Sequence, residues 1–320
     1  MTKYLIHHRI RTIAYFHKPQ DYLGFHFNIY NSEGVNIGLY NHMGDGWVAE
    51  KEVEAIGWRE AYKNFQNELA TIIDAFSVVT QCFFSIVGCC YFIKRLDAQY
   101  DGIMLSFVAK EALGAGTGMA LNESGLEDVE KLMRENIGVA LHYFKEANNA
   151  ISPITRSAML LCCAEALAGI ENVTKKCKCG EICSRYSRTC NAELSKILEK
   201  ELYDQAYKRD GLRHKLFHGV KVLEDREVSE FNDKIYDKII MYLKNRLQLK
   251  DVHPIKDPGR SIYTYKKALN FVRNMNGLPQ LEHLNDTLYE MLTKKPQEFS
   301  NENYEIITDT SSLSSLFKDY

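Results

Sequence analysis

With 320 residues, 45% of them hydrophobic and 26% charged, the chain has apolar material for two domains and a substantial core, and its make-up is that of an ordinary globular protein. Lys and Arg number 40 against 42 Asp and Glu, a formal net charge of -2. That balance excludes a polyelectrolyte that grips nucleic acid with its whole surface, so any such affinity must come from a local patch. The N-terminus, MTKYLIHHRIR, has no apolar signal core and no small-residue cleavage site, and the expectation for nine cysteines is a reducing cytoplasm.

In chain order, residues 1-118 read as a small α+β domain. Tyr4 to Phe16 is rich in β-branched and aromatic residues, and Phe25, Phe27 and Ile29, the turn Asn31-Ser32-Glu33-Gly34, then Val35, Ile37 and Leu39 alternate as a hairpin does. Trp58, Ala61, Tyr62, Phe65, Leu69, Ile72, Ile73 and Phe76 recur at helical spacing. Ala75 to Ile93 carries no charge, but Ser77, Thr80, Gln81, Ser85 and Gly88 interrupt it. It reads as the end of a buried helix turning into a buried strand, not as a membrane span. Further strands are predicted at Cys89 to Leu96 and Ile103 to Val108. The glycine run Gly114 to Gly118 lacks the lysine and hydroxyl of a phosphate loop and reads as a flexible boundary.

From 119 to 250 the pattern is helical. Ser124 and Glu127 fit a capping box that opens a stripe through Leu126, Val129, Met133, Ile137, Leu141 and Phe144. Ser152-Pro153 starts a second helix containing Glu165, a carboxylate on an otherwise apolar run that needs a partner such as an arginine. Leu194 to Leu202 and Phe231 to Leu247 give further stripes, making a bundle of four or five helices. After it, 251-260 reads as a linker and 251-300 as C-terminal helices (Ile262 to Met275, Leu281 to Leu292). The stretch 301-320 reads as a disordered or partner-bound tail.

Between the helices, residues 174-191 form a cysteine-rich insertion. Cys177, Cys179, Cys183 and Cys190 are able to hold a structural zinc tetrahedrally, although the spacing is not the paired C-x2-C arrangement and free, redox-sensitive thiols are the competing reading. Cys82, Cys89, Cys90, Cys162 and Cys163 lie in apolar surroundings and read as small buried hydrophobes. His7, His8, His17, His26 and His142 show no spacing of interest.

The chemistry concentrates in Arg213-His214-Lys215-Leu216-Phe217-His218-Gly219. Histidine moves protons near neutral pH, and a guanidinium neutralises charge building on phosphorus; together they can cleave a phosphodiester without a metal cofactor. Arg209 and His214 make an overlapping match. The polar residue after Arg213 and the glycine after His218 favour the pair Arg213 and His218. Two basic runs surround it: Lys208, Arg209, Arg213, Lys215 and Lys221, and Lys175, Lys176, Lys178, Arg185 and Arg188. Each attracts phosphate or is merely a solvated face. Likewise, a histidine before glycine is often a helix cap, and an arginine one turn earlier is often a surface ion-pair partner.

Tyr207 to Gly219, together with Met159 to Gly169 (MLLCCAEALAG), resembles the HEPN domain family, and the stretch 125 to 250 is most similar to its Apea-like branch. The resemblance implies an all-α HEPN-like bundle behind an α+β region, with Arg213 and His218 catalytic, His214 in the polar position and Glu165 in support. It further implies RNA as substrate, bound with Lys208, Arg209, Lys215 and Lys221, and a homodimer in which both motifs share one cleft. The expected activity is a metal-independent endoribonuclease leaving 2',3'-cyclic phosphate and 5'-hydroxyl ends, acting as a toxin or anti-phage effector held by an antitoxin or a phage-derived trigger. The alternatives are a non-catalytic HEPN-type RNA-binding, nucleotide-binding or dimerisation module, and a sensor whose N-terminal unit detects a phage component.

Overall fold

The computed structural model describes residues 1-16, 20-30, 46-86, 90-96, 102-106, 111-116, 120-176, 182-209, 211-218, 225-256, 258-265, 271-274 and 304-307. The architecture is α+β, and the chain divides into two compact units: 1-70, 83-120 and 261-320 form the first, and 71-82 with 121-260 the second.

The first unit is built on an antiparallel sheet. Strands β1 (Thr2–Thr12), β2 (Gln20–Tyr22), β3 (Phe25–Tyr30) and β4 (Gly46–Ala55) precede helix α1 (Trp58–Thr80), and β5 (Phe84–Ser85), β6 (Cys90–Arg95), β7 (Gly102–Ser106) and β8 (Glu111–Ala115) follow it. The sheet order is β2-β3-β4-β1-β6-β7, with β5 also paired to β1. Along β1, Tyr4, Ile6, His8, Ile10 and Thr12 are all buried, the period of two expected of a strand with one face on a core. His8 is buried in this core, its ring stacked 6.0 Å from Tyr62 on α1. Phe16 packs 4.3 Å from Trp47, and Trp47 lies edge-on 5.3 Å from Phe84. The hairpin expected around residues 31-34 lies outside the described residues. The described hairpin joins β2 to β3 through Leu23 and Gly24, both at positive φ.

The second unit is helical. It contains the end of α1, then α2 (Glu123–Arg134), α3 (Gly138–Asn149), α4 (Pro153–Ala168), the hairpin β9 (Ile170–Lys176) and β10 (Ile182–Thr189), α5 (Asn191–Tyr207), α6 (Leu212–His218) and α7 (Asp225–Leu247). Apolar on most of its circumference, α4 packs against α3, α5, α6 and α7 and is the central helix. Phe144 meets Tyr236 at 4.8 Å in this core. Helix α5 is broken at Glu199, whose φ of 58° and ψ of 162° are non-helical. No described helix is long and apolar enough to cross a membrane. The uncharged stretch from Ala75 ends α1 at Thr80 and passes into β5 and β6.

Several expectations are corrected. The cap of α2 is Asn122, whose Oδ1 accepts the Gly125 N–H at 2.8 Å; Ser124 instead donates to Asp251. The stripe from Leu126 to Phe144 is two helices, because residues 135-137 leave the helical path. The glycine run begins inside β8, which pairs with a strand, β11 (Arg260–Tyr265), where a helix was expected. The sequence Ser261-Ile262-Tyr263-Thr264-Tyr265 is β-branched and aromatic, and those residues suit a pleated surface better than a helix. Strand β12 (Phe271–Asn274) likewise replaces helix, and it pairs with β13 (Tyr304–Ile307) inside the stretch read as a disordered tail. Leu281 to Leu292 lies outside the described residues.

The segment read as a linker is anchored instead. Val252 is fully buried, and Gln81 Nε2 donates to the His253 carbonyl at 2.5 Å. The side chain of Asp128, fully buried on α2, accepts the backbone N–H groups of Lys250 at 3.0 Å and Asp251 at 2.8 Å, and pairs with Lys131 at 3.2 Å. Asp128→Ala strands the two backbone donors and removes the ion-pair partner of Lys131, which keeps its bond to the Gln248 carbonyl. It is expected to cost about 3 kcal/mol, seen as a lower urea midpoint of the unfolding transition.

Candidate functional site

Glu165 stands three residues from the C-terminus of α4, where the helix leaves the apolar core, and its side chain is only 20% exposed. A carboxylate there needs charged or hydrogen-bonding partners, and it has two. Arg213 on α6 donates from Nε to Oε1 at 2.5 Å and from one terminal nitrogen to Oε2 at 3.4 Å, while the Tyr207 hydroxyl at the end of α5 donates to Oε1 at 2.8 Å. The fork-on-fork geometry fixes the guanidinium plane as well as its position.

The electrostatics follow from this triad. Burial, and then the negative charge of Glu165, push the Tyr207 phenol well above its ordinary value, so it stays a neutral donor across the physiological range. The hydrogen bond to Glu165 raises the Arg213 guanidinium further. Burial raises the neighbouring Cys162 thiol, with Glu165 adding to the effect and Arg213 opposing it, so Cys162 is not a thiolate nucleophile.

Rings frame the guanidinium. The Arg213 Cζ lies 5.8 Å from the centre of Tyr207 and 5.3 Å from that of Phe217, the residue one helical turn later, and Tyr207 stacks on Tyr203 at 5.3 Å. A cavity of about 590 Å³ opens beside them, its wall formed by Glu165, Arg188, Thr189, Tyr207, Lys208, Arg209, Arg213 and His214 among others.

A single glycine sets the turn that delivers α6. Gly211 donates its N–H to the Lys208 carbonyl at 2.7 Å and accepts from Lys215 N–H at 3.1 Å. A Cβ at this position would lie 2.5 Å from the Ala206 carbonyl oxygen and 2.8 Å from that of Lys208, closer than side chains come to backbone. Only glycine permits the reversal between α5 and α6 at this approach.

The sequence-predicted residues fall as follows. Arg213, His214, Lys208 and Arg209 share the cavity wall with Glu165, so the overlapping pair Arg209 and His214 also belongs to it. Arg209 and His214 are exposed, and Lys208 pairs with Asp204 at 2.7 Å. Lys215 lies on α6 but not in that wall, and Lys221 lies outside the described residues. His218 is the last residue of α6, with its side chain outside the described residues. Cys177 and Cys179 are also outside them, as is the side chain of Cys183 in β10; Cys190 immediately precedes α5. Among the described residues no group of three or more His, Cys, Asp and Glu is placed to hold a metal ion.

Sequence reasoning missed Tyr207 as the second donor to Glu165 and Gly211 as the pivot, and within the second basic run it did not single out Arg188 as a member of the cavity wall. Asp210-Gly211 between two helical stripes is a turn signal that was there to be used for the pivot. Nothing local reveals that Arg188, at the end of a hairpin, returns to the bundle.

Compared with protein-family models, with curated proteins and with solved structures, the chain finds no match.

Two variants test this geometry. Gly211→Ala is expected to open the turn and lower stability by about 1–3 kcal/mol, measured by chemical denaturation. Glu165→Ala leaves Arg213 and the Tyr207 hydroxyl without their acceptor and is expected to cost about 2 kcal/mol by the same measurement, the ion pair being only partly buried.

Proposed function

We propose that this protein is an endoribonuclease that cuts RNA without a metal cofactor, using a HEPN-like helical bundle as the scaffold for Arg213, His218 and His214. One observation carries the reading. A guanidinium held in a fixed plane by a carboxylate shares an open cavity with His214 and with the cations Arg188, Lys208 and Arg209, against Glu165 as the only acidic side chain in the described lining. Such a cavity attracts a phosphodiester and orients it before any chemistry occurs.

A guanidinium has five N–H donors, and Glu165 engages two of the nitrogens of Arg213. The others are available in kind for a phosphate oxygen. As the RNA 2'-hydroxyl attacks the adjacent phosphorus, charge builds on the equatorial oxygens, and Arg213 stabilises it there. His218 takes the proton of the attacking hydroxyl or delivers one to the leaving 5'-oxygen, and His214, beside Arg213, orients the pair. In this reading two copies pair so that both motifs face one cleft, with a toxin or anti-phage role under an antitoxin or a phage-derived trigger. The resemblance alone supplies those last elements.

A second reading rests on a specific contact. Arg213 is already paired with Glu165, as a structural arginine would be. In that case the cavity holds RNA or a nucleotide without cutting it.

Purified protein incubated with total RNA and a chelator is expected to give fragments with 5'-hydroxyl ends, and Arg213→Ala and His218→Ala to cut roughly 100-fold more slowly or worse. His214→Ala should lose less. Equal cutting by all four proteins removes the assignment, and RNA binding with no cleavage favours the second reading.

A further inference from the structure

Two aromatic side chains beside the cavity are left out of the core. Phe217 on α6 is 47% exposed and Tyr186 on β10 is 46% exposed. Each accompanies a guanidinium of the cavity wall. Arg213 stands over the Phe217 ring, and Arg188 follows Tyr186 by two residues, on the same face of the strand. Arg188 is held at 2.7 Å by Glu171 across the hairpin. Tyr203 stacks on Tyr207 with 17° between the ring planes, and Tyr207 lies against Arg213.

Two groups therefore meet at the cavity wall: Tyr186 next to Arg188 on the hairpin, and the stacked pair Tyr203 and Tyr207 with Phe217 beside Arg213. The outer rings of the two groups, Tyr186 and Phe217, are exposed. The inner rings have structural employment: Tyr207 is bonded to Glu165 and Tyr203 is stacked on it. The outer two are the ones with surface to offer. An exposed ring next to a cation suits an unpaired base whose neighbouring phosphate meets that cation, because every base has a face to stack whatever its sequence. A duplex keeps its bases stacked on one another and has no such face to give.

Resting on the reading that the cavity takes RNA, we propose that Tyr186 and Phe217 are stacking platforms for unpaired bases of single-stranded RNA on the two sides of the bound phosphate. The β9–β10 hairpin is then an arm that positions substrate, not a spacer between α4 and α5. Both are positioning residues: they hold the strand in register and leave the chemistry to the groups in the cavity.

The test uses the full chain and a fluorescent, fully 2'-O-methylated single strand of mixed sequence, which lacks the attacking hydroxyl and is not cut. Tyr186→Ala and Phe217→Ala are each expected to weaken binding by roughly 10-fold, whereas Tyr186→Phe and Phe217→Tyr, which keep a ring, stay near the parent value. The same strand annealed to its complement should bind the parent more weakly and be indifferent to all four changes. On cleavable RNA Tyr186→Ala, which leaves the surroundings of Arg213 intact, should raise KM with little change in kcat. Thermal melts of all variants should match the parent, since both side chains are exposed. Alanine variants that bind the single strand within twofold of the parent overturn the proposal while cleavage by the parent keeps the nuclease reading. A parent that neither binds the strand nor cuts RNA removes both, and ring-keeping variants as weak as the alanine ones overturn stacking as the cause.

Discussion

A carboxylate at the edge of an apolar helix is the constraint around which the helical unit is arranged. Glu165 sits on α4, the helix that touches four others, and leaving its charge unsatisfied there would cost more than most single contacts in the core contribute. The chain answers with two donors from different elements, Tyr207 ending α5 and Arg213 near the start of α6. Because both bonds end on one carboxyl group, the positions of the two helix ends relative to α4 are coupled. The short helix α6, seven residues long, has too little core of its own to be placed by packing alone.

That same contact governs what the arginine can do. A guanidinium on a solvated surface samples many orientations, and ordering it on a ligand costs side-chain entropy each time. Here the plane is fixed by the fork to Glu165 and by the rings of Tyr207 and Phe217 before any ligand arrives. Preorganisation of this kind is what turns a surface cation into a group that can meet a phosphate in one geometry. The turn at Gly211 serves the same end, since the reversal is too tight for any side chain and the arginine comes two residues later.

Much of this was legible in the sequence, residue by residue. The α+β beginning followed from the β-branched and aromatic run that forms β1, the alternation in β3 and the helical spacing in α1, whereas the burial of His8 was not singled out. Helices α4, α5 and α7 lie where their apolar stripes predict, and the proline at the start of α4 marks its first turn. Glu165 was recognisable as a carboxylate in need of an arginine. What failed were places where local preference was ambiguous: the 260-265 run, where aromatic and β-branched residues pair with a strand far away in sequence, and the cap of α2, where Asn122 and Ser124 both qualify and Asp251 claims the serine.

By itself the sequence determined the periodicities, the charge balance and which side-chain types are able to move a proton or hold charge at neutral pH, because those depend only on residue types and on spacings of a few positions. It could not decide which arginine meets Glu165 or that Tyr207 joins it. Nor could it decide that the end of a hairpin brings Arg188 to the same wall as Arg213 and His214. Those facts arise when segments tens of residues apart come together, and contacts at such separation are set by the packing of whole helices, which no local pattern encodes.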